Sequence, residues 1–205
     1  MELDLVALLV PGLFVAQIVC MVGLVAGGAV YAYARIQSRR RVWADLAAQT
    51  GLQFEPGTWF TSPRVTGTYR QHELTLDTFS RGTGKRRTTY TRIVVYVNNQ
   101  ANVYLAIYEE GVFSKIGKFF GQEGIQVGDE EIDRRFIIKC RPGTFAARLF
   151  TSISLRAKLL QARTINIEVD GRELHYEHRG TDAEPDALMF LFDLLTDLAM
   201  FVERA

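Results

Sequence analysis

Hydrophobic and polar positions divide this 205-residue chain into three patterns. The first is continuous: Leu5 to Ala34 is 30 residues without one Asp, Glu, Lys, Arg or His. As a helix that run reaches about 45 Å at ~1.5 Å per residue, against a bilayer hydrocarbon core of about 30 Å. It predicts a single transmembrane helix, with Pro11-Gly12 marking a kink or the outer end of the span.

The second pattern is alternation. "RVTGTYR" and "ELTLDTF" alternate apolar and polar residues around Gln71-His72, which predicts a hairpin pairing Tyr69 with Leu74 and Arg70 with Glu73. "TYTRIVVYV" and "VYLAIYE" extend this to at least four strands in meander order, and "FIIKC" adds a strand. "TINIEVDGRELHYEH" reads as a hairpin about Asp170-Gly171, a type I′ turn pair, with Glu168 opposite Glu173 and Asn166 opposite His175.

The third pattern has helical period. "RRVWADLAAQTG" places Trp43, Leu46 and Ala47 on one face before Gly51 stops the helix. "GVFSKIGKFFG" is amphipathic, with Phe113, Ile116 and Phe120 together. "PGTFAARLFTSISLRAKLLQA" is helical with a break near Thr151. The last helix, "DAEPDALMFLFDLLTDLAMFVERA", takes Thr181 or Asp182 as N-cap and Pro185 in its first turn. Its apolar surface is wide enough for either a sandwiched core helix or an interface. Strands and helices in separate runs, joined by hairpin-length connections, give an α+β class: an N-terminal transmembrane helix, then an antiparallel sheet packed with a few helices. The expected organisation is residues 1–41 as anchor with a basic stop and 42–205 as one cytoplasmic domain.

Charge orients the anchor. The n-region "MELD" is acidic and the apolar run is far longer than the ~7–15 residues of a signal-peptide core. Arg35, Arg39, Arg40 and Arg41 all follow the span and none precedes it. The positive-inside rule then puts the N-terminus outside the inner membrane and the C-terminal domain in the cytoplasm. Gly23, Gly27 and Gly28 form a small-residue face open to helix pairing and a homo-oligomer.

"GDEEIDRRFIIKC", "AARLFTSISLRAKLLQ" and "INIEVDGRELHYE" follow the order of acidic stretch, strand, helix and hairpin. In this the chain resembles a family of uncharacterised bacterial membrane-anchored proteins with a cytoplasmic domain of unknown function. Ile132 stands where that pattern carries an aromatic; Trp43, Leu46, Ala47, Gly51, Leu52 and Phe54 add its opening motif. The resemblance covers most of residues 43–180. It implies an anchored α+β domain and transfers no catalytic residue.

From Val42 onward 20 bases face 21 acids, so the domain lacks the basic surplus of a nucleic-acid binder. Two cysteines, Cys20 in the apolar run and Cys140 in a strand, give no disulfide framework. The domain is nevertheless polarised. Residues 64–92 hold seven bases (Arg64, Arg70, Arg81, Lys85, Arg86, Arg87, Arg92) against two acids, whereas residues 109–133 hold seven acids against two bases. "RGTGKRR" is no phosphate loop, because its glycines are one residue apart and a strand follows. As a basic hairpin tip, Lys85, Arg86 and Arg87 suit an anionic lipid surface at about 1 kcal/mol per base, or act as a plain solvated loop.

Alternation puts Glu168, Glu173, His175 and Glu177 on one face of the last hairpin, a carboxylate-and-imidazole set for a first-row metal. With one His on that face, counter-charge from Arg163 or Arg179 is the simpler account. His72 is placed in a turn. No G-x-S-x-G elbow or H-E-x-x-H helix occurs, and Cys140 reads as a small buried hydrophobe. The expectation is a membrane-anchored binding or assembly module without catalytic residues or cofactor. Its partners are the bilayer through residues 5–34, an unidentified protein and anionic lipid, not nucleic acid. The alternative is a membrane-tethered metal-dependent hydrolase using the polar face of the 164–178 hairpin.

Overall fold

The computed structural model describes residues 2–58, 61–109, 124–181 and 184–205, with the side chains of 2–16, 18, 29, 32, 33, 35, 36 and 85 outside that description. The helix expected over "GVFSKIGKFFG" falls outside the described residues. The chain divides into two compact units, Met1–Arg41 and Val42–Ala205.

The first unit belongs to helix α1, Glu2–Thr50. Its described apolar side chains stand in the open: Val19, Met21, Val22, Leu24, Val25, Val30 and Tyr31 are 63–73% exposed. Among the described residues no helix is long and apolar enough to cross a membrane. The described side chains cover the uncharged run only from Gln17 onward, so its first part lies outside that statement.

The second unit begins with the end of α1. Trp43, Leu46 and Ala47 are buried, on the face the spacing indicated. Past Thr50, Gly51 turns left-handed at φ 71° and Leu52 N–H donates to the Ala47 carbonyl at 2.9 Å. That bond satisfies a carbonyl orphaned at the helix end, a glycine-terminated C-cap.

Eight strands follow: β1 (Gln53–Glu55), β2 (Arg64–Tyr69), β3 (His72–Arg81), β4 (Thr88–Tyr96), β5 (Tyr104–Glu109), β6 (Phe136–Arg141), β7 (Asn166–Asp170) and β8 (Glu173–Arg179). All pairs are antiparallel, in the order β1-β2-β3-β4-β8-β7-β5-β6. The α+β class is as expected, but the meander ends at β4. The far side of β4 is taken by β8, and β5 lies between β7 and β6. "NNQAN" is therefore a crossover and not a hairpin.

Both predicted hairpins form with pairing offset from expectation. The first turn is Arg70-Gln71, both left-handed at φ 47° and 70°, so Tyr69 pairs with His72 and Thr68 with Glu73. The second is Gly171-Arg172, with Gly171 at φ 58°; Asp170 pairs with Glu173 and Glu168 with His175. Positive φ at both central residues marks a type I′ turn, and a glycine first with positive φ a type II′ turn. The offset is two positions in the partner strand, so every residue keeps its predicted face while its partner changes.

One face of the sheet carries the core. Leu74, Leu76, Ile93, Val95, Ile107, Ile138, Ile167 and Leu174 meet helices α3 (Gly143–Thr151), α4 (Ile153–Gln161) and α5 (Pro185–Glu203) in one buried cluster. The break between α3 and α4 is at Ser152. The N-cap of α5 is Glu184, in place of Thr181 or Asp182. Most of its apolar residues are core: Leu188, Phe192, Leu194, Leu195, Leu198 and Ala199 have no exposed surface, while Met189, Phe190, Met200 and Phe201 are half-buried. A short helix, α2 (Glu130–Arg135), is capped by Asp129, whose carboxylate accepts from Glu131 and Ile132 N–H.

Candidate functional site

The other sheet face carries the metal candidates Glu168, Glu173, His175 and Glu177. On it β3, β4 and β8 set Asp77 beside Arg92 and Arg92 beside Glu177. Arg92 donates twice to the buried Asp77 carboxylate, at 3.0 and 2.6 Å, while Arg64 approaches it at 3.6 Å. The bond to Asp77 raises the Arg92 pKa above the usual arginine value. Arg81 pairs with Glu177 at 2.9 Å and lies over the rings of Phe79 and Tyr90, themselves stacked 5.5 Å apart. Across β5 and β6, Tyr104, Ala106 and Tyr108 are buried with Ile137 against them, a second small apolar cluster. Burial first, and then the Glu168 carboxylate, pushes the Tyr104 phenol above its ordinary pKa.

The metal candidates share this face as alternation required, but their partners are within the protein. Glu177 is held by Arg81, Glu173 takes His175 Nε2 at 2.9 Å, and Glu168 accepts from the Tyr104 hydroxyl at 3.4 Å. Glu168 and Glu173 do not face one another as expected: Glu168 lies opposite His175, and Glu173 lies opposite Asp170. Among the described residues no three His, Cys, Asp or Glu side chains are placed to hold a metal. The counter-charge comes from Arg81 and not from Arg163, which pairs with Glu184.

The charge polarity resolves largely into internal pairs. Of the seven bases, Arg64 and Arg92 serve Asp77, Arg81 serves Glu177, and Arg70 bridges Asp193 and Asp197 of α5 at 3.2 and 2.8 Å. What remains is the hairpin tip. There Arg86 closes a single 3-10 turn, Gly84–Arg86, and Arg86 and Arg87 are exposed without an ion pair among the described residues. The acidic segment is likewise engaged: Glu109 with Arg135, Asp129 and Glu131 with Arg156, and Asp133 with the N–H groups of Val127 and Gly128. The Arg156 guanidinium, helped by the capping N–H groups, pulls the Asp129 carboxyl down to about 2.

The Cys140 thiol is pushed up to about 11 by burial and donates to the Pro142 carbonyl at 3.3 Å, which leaves little thiolate at neutral pH. A cleft of about 260 Å³ opens at the α3–α4 break, lined by Ser152, Ser154, Leu155, Asp197, Met200, Phe201 and Arg204. In the first unit Arg39 and Arg40 are half-buried and Arg41 is exposed. Sequence reasoning missed the seam between the β2–β3 hairpin and α5: Tyr69 hydroxyl to Asp193 at 3.0 Å, Arg70 to Asp193 and Asp197, and His72 to Glu203 at 3.3 Å. His72 is not in a turn but buried at the start of β3. No local signal announces bonds between residues more than a hundred positions apart.

No family model matches the chain, and no curated protein matches it. Among solved structures it is similar to the crystal structure of the mycobacterial trehalose monomycolate transport factor A, TtfA. The TM-score is 0.48 at 11% identity, over 78% of this chain and 94% of that one. A likeness of this degree transfers no residue role.

Proposed function

We propose that this protein is a membrane-anchored, non-enzymatic binding or assembly module, held in the bilayer by residues 5–34 with its α+β unit on the arginine side. The observation that carries the reading is the exposed apolar surface of α1 from Val19 to Tyr31, continuous in sequence with further uncharged residues back to Leu5. Apolar side chains exposed on every side of a helix suit lipid and not water. Arg35, Arg39, Arg40 and Arg41 at one end then orient it.

The second contact is the hairpin tip. With the other bases of residues 64–92 neutralised internally, Lys85, Arg86 and Arg87 are the tip's offer to an anionic headgroup surface. A protein partner takes the remaining surface in this reading, and no cofactor is required.

The full chain in lipid nanodiscs tests both parts. Alkaline extraction of native membranes should leave it in the pellet; release into the supernatant contradicts the anchor. Substituting Lys85, Arg86 and Arg87 by Ser should weaken tip contact with anionic discs by about 1 kcal/mol per base and leave neutral discs unaffected. Equal contact before and after substitution, read from a probe on the tip, removes the lipid contact.

A further inference from the structure

The seam between the β2–β3 hairpin and α5 ends in a histidine whose two ring nitrogens both meet acceptors. His72 is 5% exposed. Its Nδ1 lies 3.0 Å from the Arg70 carbonyl and its Nε2 lies 3.3 Å from Glu203 Oε2. A carbonyl oxygen only accepts, and so does an ionised carboxylate. A neutral imidazole has one N–H and can serve one of them. Both contacts are hydrogen bonds only when the pair holds one further proton, on the ring or on the carboxyl.

We propose that His72 and Glu203 form a proton-holding latch that fastens the C-terminal end of α5 to the β2–β3 hairpin. The surroundings favour it. The other oxygen of Glu203 accepts from Asn98 N–H, in the loop after β4, at 2.9 Å, so the carboxylate is held in place from a third element. From the β2–β3 turn the group facing the ring is the Arg70 carbonyl, and the Arg70 guanidinium is turned to Asp193 and Asp197. From β2 the paired neighbour is Tyr69, whose hydroxyl goes to Asp193. Lys158 of α4 is spent on Asp197. Among the described residues Glu203 is therefore the one charged side chain placed on the ring.

The sign follows from counting protons. Where the native state holds one proton more than the unfolded chain, the folding constant falls about tenfold per pH unit. Below about pH 6.5, where an unfolded histidine is itself protonated, the two states hold equal numbers and the latch is fully closed. Above it the unfolded chain gives up the proton first, and the latch weakens as pH rises. Opening frees the last turn of α5 and the Asn98 loop together, since both depend on Glu203.

The test is nitrogen NMR of histidine-labelled full chain in micelles, joined to unfolding midpoints on either side of neutrality. Glu203→Gln is the decisive variant, because its amide donates to a neutral ring while its oxygen still accepts from Asn98. Wild type should show His72 with two protonated nitrogens, or a proton shared with Glu203, and a midpoint that falls on alkalinisation. Glu203→Gln should show a neutral ring and lose that part of the fall. His72→Gln gives the same comparison from the other side. A neutral single-tautomer ring with an ionised Glu203 in wild type, or identical pH dependence in wild type and Glu203→Gln, overturns the proposal.

Discussion

Two apolar helices in this chain show opposite solutions to one problem. Helix α5 is apolar nearly all round and most of its large side chains are hidden, against the sheet on one side and α3 and α4 on another. Its acids Asp193 and Asp197 survive in that setting because Tyr69, Arg70 and Lys158 reach them. The part of α1 before Arg41 has no acid after Asp4, and its described apolar side chains are exposed. A helix apolar all round requires apolar surroundings. In α5 protein provides them, with polar exceptions answered one by one; in α1 the run Leu5 to Ala34 carries no charge to answer, which in the proposed reading is the composition that lipid demands.

Substitutions can break this comparison, beginning with the largest effect. Phe192→Ala empties a fully buried position in α5, against which the Tyr69 ring packs at 5.7 Å, and should cost about 3–5 kcal/mol. Denaturant unfolding of the full chain in detergent reads it; a loss below about 1 kcal/mol would mean that α5 is not the core helix described.

Leu24→Arg places a charge mid-way along the uncharged run. It should oppose insertion by about 2.5–3.5 kcal/mol and move protein from the membrane pellet to the soluble or degraded fraction. An unchanged pellet fraction would say that this helix faces protein. The same change would leave an ordinary surface helix indifferent.

Arg70→Ala unties Asp193 and Asp197 from the hairpin. Since Arg70 is 42% exposed and solvent screens the pair, the expected loss is about 0.5–1 kcal/mol. Lys158 remains to hold Asp197, so a larger loss would show that the seam acts as one network.

The smallest effect lies away from both helices. Asp129 is held down to about 2, below an ordinary aspartate near 3.9, so its contribution is present above ~3.9 and fades as pH falls through about 2. Asp129→Asn should flatten that acid limb of the unfolding curve, and no change in the limb would remove Arg156 as its cause.

Much of the sheet was legible because alternation fixes faces. In the β7–β8 hairpin Ile167, Glu168, Glu173, Leu174, His175, Tyr176 and Glu177 lie on their predicted faces, and the α3–α4 break is within one residue of Thr151. Alternation does not fix partners. Shifting a pairing by two preserves the pattern, and the choice fell to turn chemistry: Arg70-Gln71 carries no glycine or asparagine cue, and Asp170-Gly171 carries a misleading one. Strand order was beyond reach for a different reason. The insertion of β8 between β4 and β7 depends on contacts spanning much of the chain, such as Arg92 beside Glu177, which no local window contains. The same blindness inflated the candidate site. Residue counts in 64–92 and 109–133 gave opposite charge, whereas distant partners such as Asp193, Asp197, Glu177 and Arg156 offset part of it.

The most direct test of the anchored reading is protease access to a tag at the C-terminus, in intact spheroplasts and again after lysis. The account predicts a tag protected until the membrane is broken, with the four arginines and the α+β unit on the inner side. Digestion in intact cells, or a mature chain that begins near Arg35, would contradict it.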